Sequence, residues 1–310
     1  MGLRLTRVDL WLAIVVVSWA LSVIVSKVII DNGWPPVGYS AFRFAAAGAL
    51  MLPFAGRFGP GAIGVRATMG SISRSPRAKR LLLICVCGLV ANQVAVVYAL
   101  ERGSASIVSL VFGSCPVFTA IIASLAGTER ITRVFATAAA VSMAGVGLIA
   151  LSQDVNGEAG IGVVALALVT TIGFAVNSVA AMPLMRVYSS VTICAVTFFG
   201  VGVTLLIVAL PGLEWSEFSS SAWIWCCFVF AVGNLILANA FFLKAAHHVG
   251  PSHAQLYTNM QPFVAALFAV VLLSETLTRL DLLGGVLIVV GVAIAWRQQR
   301  ARKIAYADEP

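Results

Sequence analysis

Charge is what this chain has least of. Only 10% of its 310 residues are charged, 60% are hydrophobic, and the mean hydropathy is +1.00. A soluble domain carries about a quarter charged residues, so a globule of this composition could not cover itself with polar surface. The bilayer is the solvent that fits, and no sizeable soluble domain is left over. Acidic residues are missing from the middle of every apolar run: Glu101, Glu129, Glu275 and Asp281 lie at run ends. That disfavours a proton antiporter built on a central carboxylate. No Walker motif is present, so ATP drive is absent from this chain. Cys85, Cys87, Cys115, Cys194, Cys226 and Cys227 all fall inside apolar runs, without C-x-x-C or Cys/His spacing. They read as small buried hydrophobes, so neither a disulfide framework nor a metal site is expected. No cofactor and no catalytic residue are expected either. Ser22 and Ser26 beside Lys27 are the nearest approach to an intramembrane enzyme site, and they lack a cluster of His, Asp or Glu at one depth.

Apolar runs of about 20 residues are what remain. They fall at 8–30, 35–55, 80–100, 104–126, 132–151, 160–182, 191–211, 221–245, 252–273 and 278–296. Turn chemistry separates them, as in "DNGWPP" at 31–36 and "QDVNGEAG" at 153–160. The expected fold class is an all-α integral membrane protein of ten transmembrane helices. The run from Leu10 to Ile30 has no small-residue cleavage site behind it and reads as a retained helix. "MGLRLT" fits the loose myristoylation pattern, but an anchor adds nothing to a chain that already spans.

The net charge of +8 is explained by topology rather than by nucleic acid. With the N-terminus inside, sixteen Lys and Arg residues face the cytoplasm and only Arg102 and Arg279 face outward. Both termini are then cytoplasmic. The loop 57–79, "RFGPGAIGVRATMGSISRSPRAK", reads from its Gly, Ser and Arg content as a mobile cytoplasmic linker.

The chain also repeats itself. "CPVFTAIIASLAGTERITR" from Cys115 and "QPFVAALFAVVLLSETLTR" from Gln261 align at an offset of 146 residues. Pro116 matches Pro262, Glu129 matches Glu275, Thr132 matches Thr278 and Arg133 matches Arg279, while Gly145 matches Gly291 beyond them. Composition alone would match alanines, not this set. Two halves follow: 1–151 with spans one to five, and 152–296 with spans six to ten, trailed by a basic tail at 297–310. Five is odd, so the second half enters the membrane from the opposite side. Such inverted repeats are the sign of secondary transporters, in which one cleft opens to either side in turn.

With "SWALSVIVSK" (18–27), "GYSAFRFAAAG" (38–48), the paired P…E…T segments and the two glycines, the chain resembles the ten-helix EamA-type branch of the drug/metabolite transporter superfamily. The resemblance implies a permease of the bacterial inner (plasma) membrane that exports amino acids or other small metabolites. The expected function is secondary export of small metabolites by alternating access, with amino acids, large apolar ones among them, the first choice. Multidrug or quaternary-ammonium efflux by proton antiport is the alternative, and an intramembrane enzyme or a channel is disfavoured. The expected partners are a small-molecule substrate and the lipid bilayer, with no nucleic acid, in a monomer or homodimer.

Polar groups inside spans are costly and are functional candidates by default. Arg43 lies roughly 12 Å inside span two by helical rise. It needs a polar partner, water or an anionic substrate group; the resemblance, in which an Arg here is typical whatever the substrate, favours a structural role. Lys27, near a span end, is explained by snorkelling. Trp19, Ser22, Asn92, Gln93, Ser114, Asn177, Asn234, Asn239, Tyr257, Asn259 and Gln261 could line a central cavity for a neutral or zwitterionic solute; interhelical hydrogen bonding is the plainer alternative. Gln93 and Asn239 are repeat mates. Pro116 and Pro262 are hinge candidates, with a tolerated kink as the alternative. Ala136, Ala140 and Ala144 form a small-residue ridge expected to pack another helix. His247, His248 and His253 cluster at the inner end of spans eight and nine and read as solvated loop residues.

Overall fold

The computed structural model describes residues 7–55, 64–127, 132–154, 159–213, 218, 221–249, 258 and 260–307. All regular structure among them is helical. In chain order the helices are α1 (Arg7–Asp31), α2 (Pro36–Met51), α3 (Val65–Arg74), α4 (Pro76–Arg102), α5 (Ala105–Phe112), α6 (Cys115–Leu125), α7 (Arg133–Asp154), α8 (Ala159–Met185), α9 (Ser190–Ala209), α10 (Ala222–Val249), α11 (Gln261–Leu273) and α12 (Arg279–Ala307). Seven are long and apolar enough to cross a membrane, and α5 with α6 makes an eighth if the bent pair is one span. Large apolar side chains face outward along them, among them Trp223, Val229 and Ile207, each more than half exposed. Water would not tolerate such a surface, but lipid does.

The sequence explains the ends of several helices. Pro36 and Pro76 stand in the first turns of α2 and α4, where the missing N–H is not needed. Ser75 caps α4, its hydroxyl accepting from Ala78 N at 3.3 Å, and Ser104 caps α5 through Ile107 N at 3.2 Å. Thr278 and Asp281 close a reciprocal box at the start of α12: Thr278 N donates to Asp281 Oδ2 at 2.8 Å and Asp281 N to Thr278 Oγ1 at 3.1 Å.

The span expected at 104–126 is broken. Its halves α5 and α6 meet at 41° across Gly113 and Ser114, and Pro116 sits in the first turn of α6. Pro262 holds the same place in α11. Neither proline interrupts a running helix; both begin one.

Two expectations are corrected. The loop 57–79 is not a linker throughout. Its residues 65–74 form α3, because Thr68 and Ile72, four apart on one face, are buried. Ile72 clusters with Ala180, Leu184 and Tyr188, and Ser71 and Tyr188 share a hydrogen bond of 3.0 Å. In α7, Ala136, Ala140 and Ala144 face outward. The packed ridge is instead Ala138, Ser142 and Gly145, which lie on the other side of the same helix.

The largest interfaces are α4–α8, α7–α12 and α2–α9, followed by α1–α10 and α1–α11. Small residues bring the backbones together, as membrane helices require in the absence of a hydrophobic drive between them. A Cβ at Gly173 would lie 2.6 Å from the Gly88 carbonyl oxygen, and one at Gly88 2.8 Å from that of Gly173. In α7–α12 a Cβ at Gly145 would lie 2.5 Å from the Gly284 oxygen, and one at Gly291 2.6 Å from the Ala138 oxygen. Gly48 and Gly202 press in the same way on the backbones of Phe199 and Ala45.

Candidate functional site

Arg43 stands on the inner face of α2, two turns from its start, and is only 9% exposed. The α2 sequence places Tyr39 one turn before it and Ser40 on the neighbouring row. Nη1 of Arg43 donates to Ser26 Oγ of α1 at 2.9 Å and to Tyr39 Oη at 3.0 Å. Ser26 Oγ in turn donates to the Ser22 carbonyl at 2.7 Å, and the Ser26 and Tyr39 hydroxyls lie 2.9 Å apart. The guanidinium carbon is 5.7 Å from the Tyr39 ring centre and 5.5 Å from that of Phe44, positions of cation–π attraction. Nε is buried and makes no hydrogen bond. An Arg in the membrane costs about 2.5–3.5 kcal/mol on insertion scales, and among the described residues no carboxylate pairs with this one.

A second polar chain starts beside it. Ser40 Oγ donates to Gln93 Oε1 at 3.3 Å, Gln93 Nε2 to Asn92 Oδ1 at 2.7 Å, and Asn92 Nδ2 to the Thr170 carbonyl of α8 at 2.8 Å. Arg43, Ser22, Gln93 and Asn92 are thus brought into one belt across α1, α2, α4 and α8.

The other candidates lie apart from that belt. Asn177 Nδ2 donates to the Cys85 carbonyl at 2.9 Å and Asn234 Nδ2 to the Ser18 carbonyl at 2.6 Å, so both join helices. Asn239 Nδ2 turns back to its own helix, on Leu235 O at 2.7 Å. Trp19 packs on Phe242 with ring centres 5.5 Å apart. Ser114 Oγ returns to Val111 O at the α5–α6 break, and Gln261 opens α11, half-buried. Tyr257, with Asn259, Glu129 and His253, lies outside the described residues. Lys27 does more than snorkel, bonding Asp31 Oδ1 at 2.8 Å and the Leu100 carbonyl at 2.7 Å.

Sequence reading missed Tyr39 and Ser40, and weighed Ser26 only for a disfavoured enzyme site, although the i, i+4 spacings Tyr39–Arg43 and Ser22–Ser26 put each pair on one helix face. It also passed over Glu275 as a mere end residue. Ser274 adopts the left-handed conformation at φ 55°, which turns the chain back after α11. The Glu275 carboxylate then accepts from Ala105 N at 2.7 Å, Ser106 N at 2.8 Å and Ser106 Oγ at 2.5 Å. A carboxylate at a helix N-terminus is stabilised by the exposed amides and the dipole. Asp281 is 1% exposed and bonds Ser152 of α7.

Long apolar helices with lipid-facing exteriors and a polar belt within define a multi-pass membrane protein. The profile of the EamA-like transporter family matches it twice, over residues 6–151 and 161–297. The chain belongs to that family, and it is a membrane transporter. A probable terminal-alkyne amino-acid exporter of Streptantibioticus cattleyicolor is 27% identical over 308 residues, 97% of both chains. A protein of known crystal structure aligns over 93% of this chain and 98% of its own with a TM-score of 0.58. At 16% identity that likeness concerns the fold alone.

Proposed function

We propose that this chain is a secondary exporter of amino acids, working by alternating access without ATP. In this reading ten spans form two inverted halves, 1–151 and 152–296, with a basic tail at 297–310 and both termini on the cytoplasmic side of a bacterial inner membrane.

The observation that carries the reading is the reciprocity of the helix contacts. Offset by 146, Gly145 corresponds to Gly291 and Gly284 to Ala138, and the contact Gly145–Gly284 has its counterpart in Gly291–Ala138. Ser142 and Ile288, 146 apart, are each other's mates, and Ser142 Oγ donates to the Ile288 carbonyl at 3.4 Å. In α2–α9 the offset is 154: Ala45 corresponds to Phe199 and Gly48 to Gly202, and again Gly48–Phe199 mirrors Gly202–Ala45. Exchanging the halves turns α1–α10 into α8–α4, and leaves α2–α9 and α7–α12 as they are. Such a pattern supports a pseudo-two-fold axis between halves of odd span number. The α5–α6 break and the start of α11, at corresponding places, are where discontinuous helices meet a solute in such carriers. Pro116 and Pro262 serve there as the hinges. We assign the lining to Trp19, Ser22, Arg43, Gln93, Ser114, Asn239 and Gln261, with Asn92, Asn177 and Asn234 holding the helices around it. The full-length relative's name supports an amino acid as cargo.

The test is counterflow of labelled amino acids into proteoliposomes holding the purified chain. Saturable exchange is expected for at least one large apolar amino acid, unchanged by collapse of the proton gradient. Non-saturable flux would point to a channel and defeat the reading. A reporter at Asn156 found on the same side as the termini would defeat the inverted topology.

A further inference from the structure

We infer that Arg43 is the subsite for the solute's carboxylate, and so the residue that makes an anionic group a requirement for transport. This deepens the reading as an amino-acid exporter and rests on it.

A structural arginine in lipid is expected to hold carbonyls or helix ends. Arg43 does neither: both of its hydrogen bonds leave from Nη1 and end on side-chain hydroxyls, Ser26 Oγ and Tyr39 Oη. Those hydroxyls are already committed. Ser26 gives its proton to the Ser22 carbonyl, which leaves the Tyr39 proton for Ser26 Oγ. The network is complete on the Nη1 side and neutral throughout. On the opposite side, Nε is buried and unpaired, and no bond of Nη2 occurs among the described residues. Nε and Nη2 form the guanidinium edge that presents two parallel N–H groups, the geometry that fits a carboxylate's two oxygens. The rings of Tyr39 and Phe44, with centres 5.7 and 5.5 Å from the guanidinium carbon, help to hold it in place. An anion on that edge would complete the hydrogen bonding and neutralise a charge that no carboxylate among the described residues compensates.

Among the described residues, the place in the second half that corresponds to Arg43 holds no cation. At the α2–α9 offset, the mate of Arg43 is Thr197, buried and neutral. With a cation on α2 and a neutral residue at the corresponding place of α9, a zwitterion would bind in one orientation, its carboxylate toward α2.

The experiment uses the full chain in proteoliposomes, with leucine and leucinamide as probes, on wild type, Arg43→Gln, Arg43→Leu and Arg43→Lys. Wild type is expected to prefer leucine by about tenfold or more, because a site built for a hydrogen-bonding group rejects the analogue that lacks it. In Arg43→Gln and Arg43→Leu, leucine flux should fall by about tenfold while leucinamide flux changes less than about twofold, so the preference collapses. Arg43→Lys keeps the charge without the fork and should lose leucine partially; it also covers the case in which the neutral variants fail to fold. A purely structural arginine would lower both probes together, and that result overturns the inference. So does a variant that melts like wild type and keeps the wild-type preference. If wild type carries no amino acid, the exporter reading fails by itself. Arg43 is then tested by thermal protection: isovalerate, but not isovaleramide, should raise the melting temperature of wild type and not of Arg43→Gln. Equal protection of both proteins, or none of either, overturns the inference.

Discussion

The two halves of the molecule share a frame and differ in what they put inside it. The contacts Gly145–Gly284 and Gly291–Ala138 are equivalent, as are Gly48–Phe199 and Gly202–Ala45. The lining is not. At the 154-residue offset Arg43 has Thr197 as its counterpart, and Thr197 Oγ1 makes no hydrogen bond. Gln93 bridges Ser40 and Asn92, whereas its mate Asn239 bonds its own helix. Symmetry has been kept where backbones touch and lost among the buried polar side chains. In the proposed exporter, alternation would need two equivalent closures, while recognition of an asymmetric solute would need one end unlike the other.

The comparison can be broken most severely at the frame. Gly145→Leu drives a side chain into the Gly284 carbonyl and should destabilise the fold by about 3 kcal/mol or more, read as a large drop in melting temperature in detergent. Gly147→Leu, two residues on and with open space around its Cα, should stay within about 0.5 kcal/mol. Next comes the carboxylate that ties the halves at the end of α11. Glu275→Gln keeps the shape and removes the charge at the α5 N-terminus, with an expected loss of about 1–2 kcal/mol in the same melt. The mates in the lining sharpen the contrast further. Gln93→Leu should cost about 1 kcal/mol, and Asn239→Leu less than about 0.5 kcal/mol, measured by reversible unfolding in mixed micelles. The smallest effect is expected at Thr197→Val. The valine keeps the volume and removes a hydroxyl that has no partner, so stability should rise slightly, by up to about 0.5 kcal/mol.

Much of this was legible in the chain itself. Runs of some 20 apolar residues can hardly be anything other than helices in lipid, and each of the ten expected runs holds a helix where residues are described. The 146-residue offset, read from one proline, one glutamate, a threonine and an arginine, reappears in the contacts of Ser142 and Gly145. What stayed hidden was phase. A helix that is apolar all round gives no sign of which side packs, so Ala136, Ala140 and Ala144 looked as suitable as Ala138, Ser142 and Gly145. α3 escaped because ten residues with only Thr68 and Ile72 buried have too little apolar content to stand out from a linker. Within the site, the residue types were legible and their partners were not. An asparagine's amide takes whichever carbonyl the neighbouring helix offers, and nothing in one chain tells Asn177 that it will meet Cys85. Arg43 stood out from its cost alone; Tyr39 and Ser26 came only with the packing of α1 on α2.

The interleaving of the helices has a consequence for how the protein is made. Each of the largest interfaces joins a helix from the first half to one from the second, so neither half has a core of its own. The first half must leave the ribosome and sit in the bilayer with Gly48, Gly88 and Gly145 exposed to lipid, while Arg43 has its partners Ser26 and Tyr39 within that half. α2 meets its main partner when the chain has been made through α9, α1 when it has been made through α10, and α7 last of all, with α12. Until then the nascent first half is a set of waiting helices, and it falls to the insertion machinery to keep them from finding the wrong neighbours.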